Sequence, residues 1–161
     1  MTPLPGVPIE LTVYLPRLVL AVVLSGVIGL EREMGGKPAG LRTHVLFGLG
    51  TALFMLLGIE AAKSSADEGQ QIVRAFAGLV QGIGFLGAGV ILREQGEVRG
   101  LTTAAGIWAV AAVSMACALG SFLLAIISTG LALVTLHWLK VPEQRLRMRR
   151  RNGTKSDEDF E

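Results

Sequence analysis

Two apolar runs, residues 101–118 and 121–139, carry no Asp, Glu, Lys or Arg, and only Leu119 and Gly120 separate them. A bilayer core is about 30 Å thick, and a helix rising about 1.5 Å per residue needs roughly 20 apolar residues to cross it. Backbone polar groups exposed to lipid must be satisfied within their own segment, so each run reads as a helix. With two residues between them, the pair doubles back as a tight helical hairpin. A core helix of a soluble protein keeps a polar face, and neither run has one. Three more runs meet the length criterion. They are 11–30, with Pro16 and Arg17 near its start; 43–62; and 72–92, with Arg74 near its start and Gln81 at its middle. The expected fold class is an all-α membrane protein, a bundle of five transmembrane helices over residues 1–139. A short tail, 140–161, follows, basic to residue 151 and then polar and acidic; its last part reads as disordered.

Composition agrees. Charged residues make up 17% of the chain, against about 25% in a typical soluble domain. A single cysteine, Cys117, excludes an internal disulfide framework and a Cys-rich zinc site. The segment before residue 11 lacks a basic start, and the first run ends in Glu31-Arg32-Glu33 rather than a small-residue cleavage site. The first run is therefore expected to stay as a span. Five spans put the first loop, the third loop and the tail on one side. That side holds Arg32, Lys37, Arg42, Arg93, Arg99, Lys140, Arg145, Arg147, Arg149, Arg150, Arg151 and Lys155, and the other holds Arg17, Lys63 and Arg74. Lys and Arg collect in cytoplasmic loops, so the N-terminus is expected outside a plasma membrane and the C-terminus in the cytoplasm. The basic tail has two readings, an ordinary cytoplasmic anchor or a site for anionic lipid worth about 1 kcal/mol per basic residue.

The polar residues fall in three places. The first loop reads Glu31-Arg32-Glu33-Met34-Gly35-Gly36-Lys37-Pro38-Ala39-Gly40-Leu41-Arg42-Thr43-His44. On a helix Glu31 and Glu33 would point about 200° apart, so they would pair separately with cations rather than with one ion. Pro38 and Gly40 mark a turn, and Thr43 is a candidate cap for the second span. The third loop alternates charge around Gly96, which suits a hairpin, and Thr102 and Thr103 open the fourth span with hydroxyls for its free backbone donors. The third span is dense in glycine, at Gly78, Gly82, Gly84, Gly87 and Gly89. Gly78 and Gly82 have the spacing that lets helices approach closely in lipid, as do Ser25 and Gly29 in the first span. Two readings stay open: close helix packing, or a broken helix whose freed carbonyls line a polar path. Gln81 sits near mid-membrane and is expected to face a helix or a cavity rather than lipid.

Four segments together resemble the MgtC/SapB family of bacterial inner-membrane proteins. They are Gly29-Leu30-Glu31-Arg32-Glu33; Lys37-Pro38-Ala39-Gly40-Leu41-Arg42-Thr43-His44; Gly82-Ile83-Gly84-Phe85-Leu86-Gly87-Ala88-Gly89; and Val98-Arg99-Gly100-Leu101-Thr102-Thr103-Ala104-Ala105-Gly106-Ile107-Trp108. The resemblance covers roughly residues 17–139. It implies a five-span helical domain and a part in magnesium homeostasis. It also implies that some relatives are virulence factors and that some modulate other membrane proteins, among them ATP synthase. Many relatives carry a soluble ACT-like domain after the spans; this chain ends at Glu161 and is similar to the short, SapB-like form. Where relatives often have an acidic residue three positions before the arginine of span three, this chain has Gln71. Where they often have a glutamine early in that span, it has Gly78, with Gln81 one turn on.

The expected function is magnesium homeostasis at the inner membrane, by moving magnesium or another solute or by regulating another membrane protein. The alternative is a non-transporting regulatory subunit of a membrane complex such as an ATPase. Magnesium favours carboxylate oxygens and sheds water reluctantly, and no Asp or Glu lies in the core of any span. A pore for the hydrated ion would therefore need an oligomer. Enzymatic activity is not expected: Cys117 lies within a span, and His44 is the one base near the polar cluster. No cofactor is expected beyond Mg2+ as a transported or sensed ion. The expected partners are the lipid bilayer, a second copy in a homodimer, and another membrane protein, with no nucleic acid. The candidate site is Glu31, Arg32, Glu33, Arg42, Thr43, His44, Gln81, Thr102 and Thr103 as a polar network at the cytoplasmic side. Arg74 joins it only if span three bends or enters deeply.

Overall fold

A computed structural model describes residues 9–94 and 97–138. The tail, with its anchoring and lipid readings, lies outside the described residues. Seven elements follow one another: α1 (Ile9–Met34), α2 (Leu41–Ala62), α3 (Glu68–Gly89), β1 (Leu92–Glu94), β2 (Glu97–Arg99), α4 (Leu101–Ala118) and α5 (Phe122–Trp138). The first four helices are each long and apolar enough to cross a membrane. α5, a mainly apolar helix of 17 residues, reaches the lower end of the spanning range of about 17–25. The protein is an all-α membrane bundle.

The ends of the helices show why the chain turns where it does. α1 runs past residue 30 because Glu31, Arg32 and Glu33 are good helix formers. It stops at a glycine cap. Gly36 has φ +62, its N–H donates to Glu33 O at 2.9 Å, and Lys37 N–H donates to Arg32 O at 3.0 Å. The same device closes the hairpin between α4 and α5. Gly120 has φ +82, with Gly120 N–H to Cys117 O at 3.0 Å and Ser121 N–H to Ala116 O at 2.9 Å. Both are Schellman caps, which need the left-handed conformation that glycine adopts without a Cβ clash. Between α3 and α4, β1 and β2 pair antiparallel with Arg93 opposite Val98, the expected hairpin.

α1, α2 and α4 form the inner layer, with α3 and α5 packed outside it. α4 is 67% buried along its apolar window and α3 only 11%. The core is built from Ala21, Leu24, Ala52, Met55, Ile83, Val113, Cys117 and Ala125, among others. Small residues let the inner helices close on one another. Ser25 Oγ on α1 lies 3.2 Å from Ser114 Oγ on α4. Gly48 on α2 faces both, and a Cβ there would come within 2.6 Å of Ser25 Cβ and 3.0 Å of Ser114 Oγ.

The third helix differs from the reading of it as a broken helix. It is continuous from Glu68 to Gly89, so it frees no carbonyls at mid-membrane. Its glycines also turn away from the bundle: a Cβ at Gly78, Gly82, Gly84 or Gly89 would meet nothing within 4 Å, and only Gly87 lies against α4, near Trp108 and Ala104. The reason is that α3 docks through its larger side chains, Ile72, Leu79 and Ile83. These occupy the side opposite the glycine strip.

Candidate functional site

Two polar clusters occupy opposite ends of the bundle. The first forms where α1 ends and α2 begins. Arg32 is 1% exposed, although it lies only two residues from the end of α1. Its Nε donates to Glu31 Oε2 at 2.6 Å. Nη1 and Nη2 are buried and have no partner among the described residues. An ion pair of this kind neutralises charge but leaves donors unsatisfied, and a buried donor without an acceptor costs about 1–3 kcal/mol.

His44, also 1% exposed, sits one turn into α2. Its Nδ1 is 2.9 Å from Gly40 O. A carbonyl only accepts, so Nδ1 carries the proton, and in the neutral ring Nε2 offers a lone pair. Nε2 is buried and has no partner among the described residues. Two glycines make room for the ring. A Cβ at Gly29 on α1 would fall 2.8 Å from His44 Cβ, and one at Gly106 on α4 would fall 3.9 Å from Nε2. Three helices thus enclose the imidazole. Thr103, one turn before Gly106, is also buried.

Glu33 has a different role from Glu31. Its Oε2 accepts from Leu41 N–H at 2.7 Å, so a carboxylate from the end of α1 caps the start of α2. α2 has Gly40 at its N-cap, with no side-chain cap of its own. An anion there also meets the positive end of the helix dipole. Thr43 is therefore not the cap: the helix already begins at Leu41, and Thr43 lies exposed inside its first turn. α4 likewise starts after Gly100 without a side-chain cap, so Thr102 and Thr103 do not cap it. Gly100 has φ +90, and a Cβ there would run into the Val90 carbonyl.

The expected network is thus partly assembled. Glu31, Arg32, Glu33 and His44 cluster at one end with Thr103 nearby on the same layer. Arg42, Thr43 and Thr102 are exposed, without a hydrogen bond or ion pair among the described residues. Gln81 is exposed on the outer side of α3, so within the protomer it faces neither another helix nor a cavity. Arg74 does not join the network. It lines a cleft of about 540 Å³ with Ser65, Gln71 and the small residues Gly58, Ala61, Ala62 and Ala75, at the far end, where α2 turns into α3. α3 is one continuous helix, so it does not bring Arg74 to the Arg32 end.

That far end holds the second cluster. Tyr14 Oη donates to Glu60, and Lys63 Nζ donates to Glu60 Oε1 at 2.9 Å. The Glu60 carboxylate holds the Lys63 ammonium above its ordinary pKa, against the opposing effect of desolvation. Arg17 Nη1 donates to Ala118 O at 2.7 Å, tying α1 to an otherwise free carbonyl at the end of α4. Sequence reasoning missed Glu33 as a cap and the Ser25–Gly48–Ser114 contact. Glu33 lies eight residues from the amide it caps, so only the turn at Pro38–Gly40 hinted at it.

Among the described residues no group of three or more His, Cys, Asp or Glu side chains is placed to hold a metal ion. What the Arg32–His44 end offers chemically is mixed: guanidinium donors and an imidazole lone pair, both buried, beside one carboxylate. Such a set suits a small polar group that both accepts and donates, water included.

Comparison with known proteins adds lineage to this geometry. YhiD of Escherichia coli K12, which its name proposes as a magnesium transporter, is 44% identical over 126 residues, covering 76% of this chain and 59% of that protein. Protein SrpB of Synechococcus elongatus is 41% identical over 133 residues, covering 77% of this chain and 73% of its own length. Protein MgtC of Salmonella typhimurium is 40% identical over 133 residues, covering 83% of this chain and 55% of that protein. The chain thus spans between half and two thirds of the length of YhiD and MgtC. No solved structure matches it. The sequence pattern of the MgtC family matches residues 18–145, a stretch that takes in α2, α3, α4, α5 and the Arg32–His44 cluster, and the chain belongs to that family.

Proposed function

We propose that this chain serves magnesium homeostasis as a regulatory membrane subunit rather than as a pore within one protomer. The magnesium link comes from its relatives, YhiD above all by name. The regulatory reading rests on one observation: the middle of the inner layer is closed by the Ser25–Ser114 contact against Gly48. A magnesium ion keeps several waters unless carboxylates replace them, and this contact leaves no room for a hydrated ion between α1, α2 and α4. The protein would then act by binding another membrane protein through its outer helices. Its role is non-enzymatic on this reading.

One observation favours a second reading, transport through an oligomer. Gln81, a polar group at mid-helix, faces outward, where several copies would line a shared path. A magnesium flux assay on the full chain in proteoliposomes separates the two. The regulatory reading expects no flux above that of empty vesicles from protein shown to be helical. Flux above that level that is lost in Gln81→Leu overturns it and makes the chain a transporter.

A further inference from the structure

The outward face of α3 is unlike the rest of the lipid-facing surface. Gly78, Gln81, Gly82, Phe85 and Gly89 fall on one strip about 100° wide at helical spacing, and all are exposed. The strip is flat at its glycines and carries one projecting ring, Phe85, 81% exposed. Gln81 lies near the middle of the 22-residue helix, and its amide has no hydrogen-bond partner among the described residues. α5 shows what a plain lipid face looks like here: Leu123, Leu124, Ile126, Ile127 and Leu131 are exposed hydrocarbon. A lipid tail satisfies such side chains but neither accepts from nor donates to an amide, and an unmet polar group in the hydrocarbon layer costs several kcal/mol.

We propose that this strip is the interface with a second copy of the chain, the two α3 helices crossing at Gly78 and Gly82 with the Gln81 amides hydrogen-bonded to each other. Gln81 itself argues for that occupant. A carboxamide is both donor and acceptor, so it is complementary to another of its kind. Copies inserted in the same sense hold Gln81 at the same depth. A twofold axis along the membrane normal therefore brings each Gln81 to its counterpart, in an interface made of the same patch twice. The absence of side chains at Gly78 and Gly82 lets the backbones close to the distance this bond needs. Arg74 lies on the same side, nearer the aqueous edge, where helices crossing at the glycines have splayed apart. The inference does not depend on the regulatory reading: a dimer forms, or fails to form, whether or not magnesium moves.

The test uses the full chain in lipid vesicles with Cys117→Ala and one new cysteine at a time. Under mild oxidation Gly78→Cys and Gly82→Cys are expected to give covalent dimers, and Ile127→Cys on α5 to give about tenfold fewer, reflecting contact at one face only. Energy transfer between labelled chains, diluted with lipid, gives a second readout that needs no cysteine in the interface. Gln81→Leu is expected to weaken dimerisation about threefold to tenfold, and Gln81→Asn to keep most of it. Equal crosslinking at Ile127→Cys, or a Gln81→Leu chain that dimerises as well as the parent, overturns the proposal. So does crosslinking of the α3 cysteines in native membranes to a different protein in place of the second copy.

Discussion

At the scale of the residue, the bundle depends on a few positions where size or charge has no slack. Gly48 is one. A methyl group there would press on both Ser25 and Ser114, and overpacking of this kind costs about 1–3 kcal/mol. Gly48→Ala should lower the unfolding midpoint in detergent, whereas Gly50→Ala, which meets open space, should leave it unchanged. Arg32 and Glu31 are another such place. Removing one partner of a buried ion pair strands the other and costs about 3–5 kcal/mol, while removing the buried charge itself costs much less. Glu31 is 14% exposed and reaches solvent, whereas Arg32 does not. Glu31→Gln should therefore destabilise the protein more than Arg32→Met, as read by denaturant unfolding in micelles. The reverse order would mean that the guanidinium has further partners holding it in place.

At the scale of the element, the helices begin and end on devices borrowed from their neighbours. Glu33 closes the N-terminus of α2 from the end of α1, and Arg17 closes the C-terminus of α4 from the start of α1. These bonds fix where one helix sits along another, which apolar packing in lipid does poorly because tails and side chains are equally apolar. Glu33→Ala should cost about 1 kcal/mol, the usual worth of an N-cap, and should increase amide exchange in the first turn of α2. Thr43→Ala should change neither stability nor exchange. The helices themselves were legible in the sequence, because a run such as Leu101–Ala118 has no polar face to suggest anything else. The caps were not. A cap depends on which residues meet in space, and Glu33 and Leu41 are separated by a turn whose path no local pattern states.

At the scale of the whole molecule, the distribution of charge sets the expected direction of insertion. Met34, the last residue of α1, and Ser64, between α2 and α3, are both exposed and lie at opposite ends. With Cys117→Ala as background, Ser64→Cys should react with a membrane-impermeant maleimide on intact cells, and Met34→Cys only after permeabilisation. The opposite pattern would invert the orientation. In that orientation the Arg32–His44 cluster faces the cytoplasm and the Arg74 cleft the outside. The two clusters then see different solutions.

The candidate site divides along the same line. That Glu31, Arg32, Glu33 and His44 belong together could be read from one charged loop between two apolar runs. That Arg74 belongs elsewhere followed once α3 proved continuous, since an unbroken 22-residue helix keeps its first turns at the end opposite the Arg32 cluster. Gln81 was recognisable as a costly residue at mid-membrane, but not which way it points, because rotation about a helix axis is set by what packs against it. What the sequence by itself determined was the solvent: apolar runs of spanning length demand helices in a bilayer, whatever their neighbours. Only the tertiary structure decided the inside of the bundle. Ile72, Leu79 and Ile83 won the contact with α2 and α4 because they fill space that glycine cannot. Gly78, Gly82, Gly89 and Gln81 were thereby left facing out, toward whatever shares the membrane with this chain.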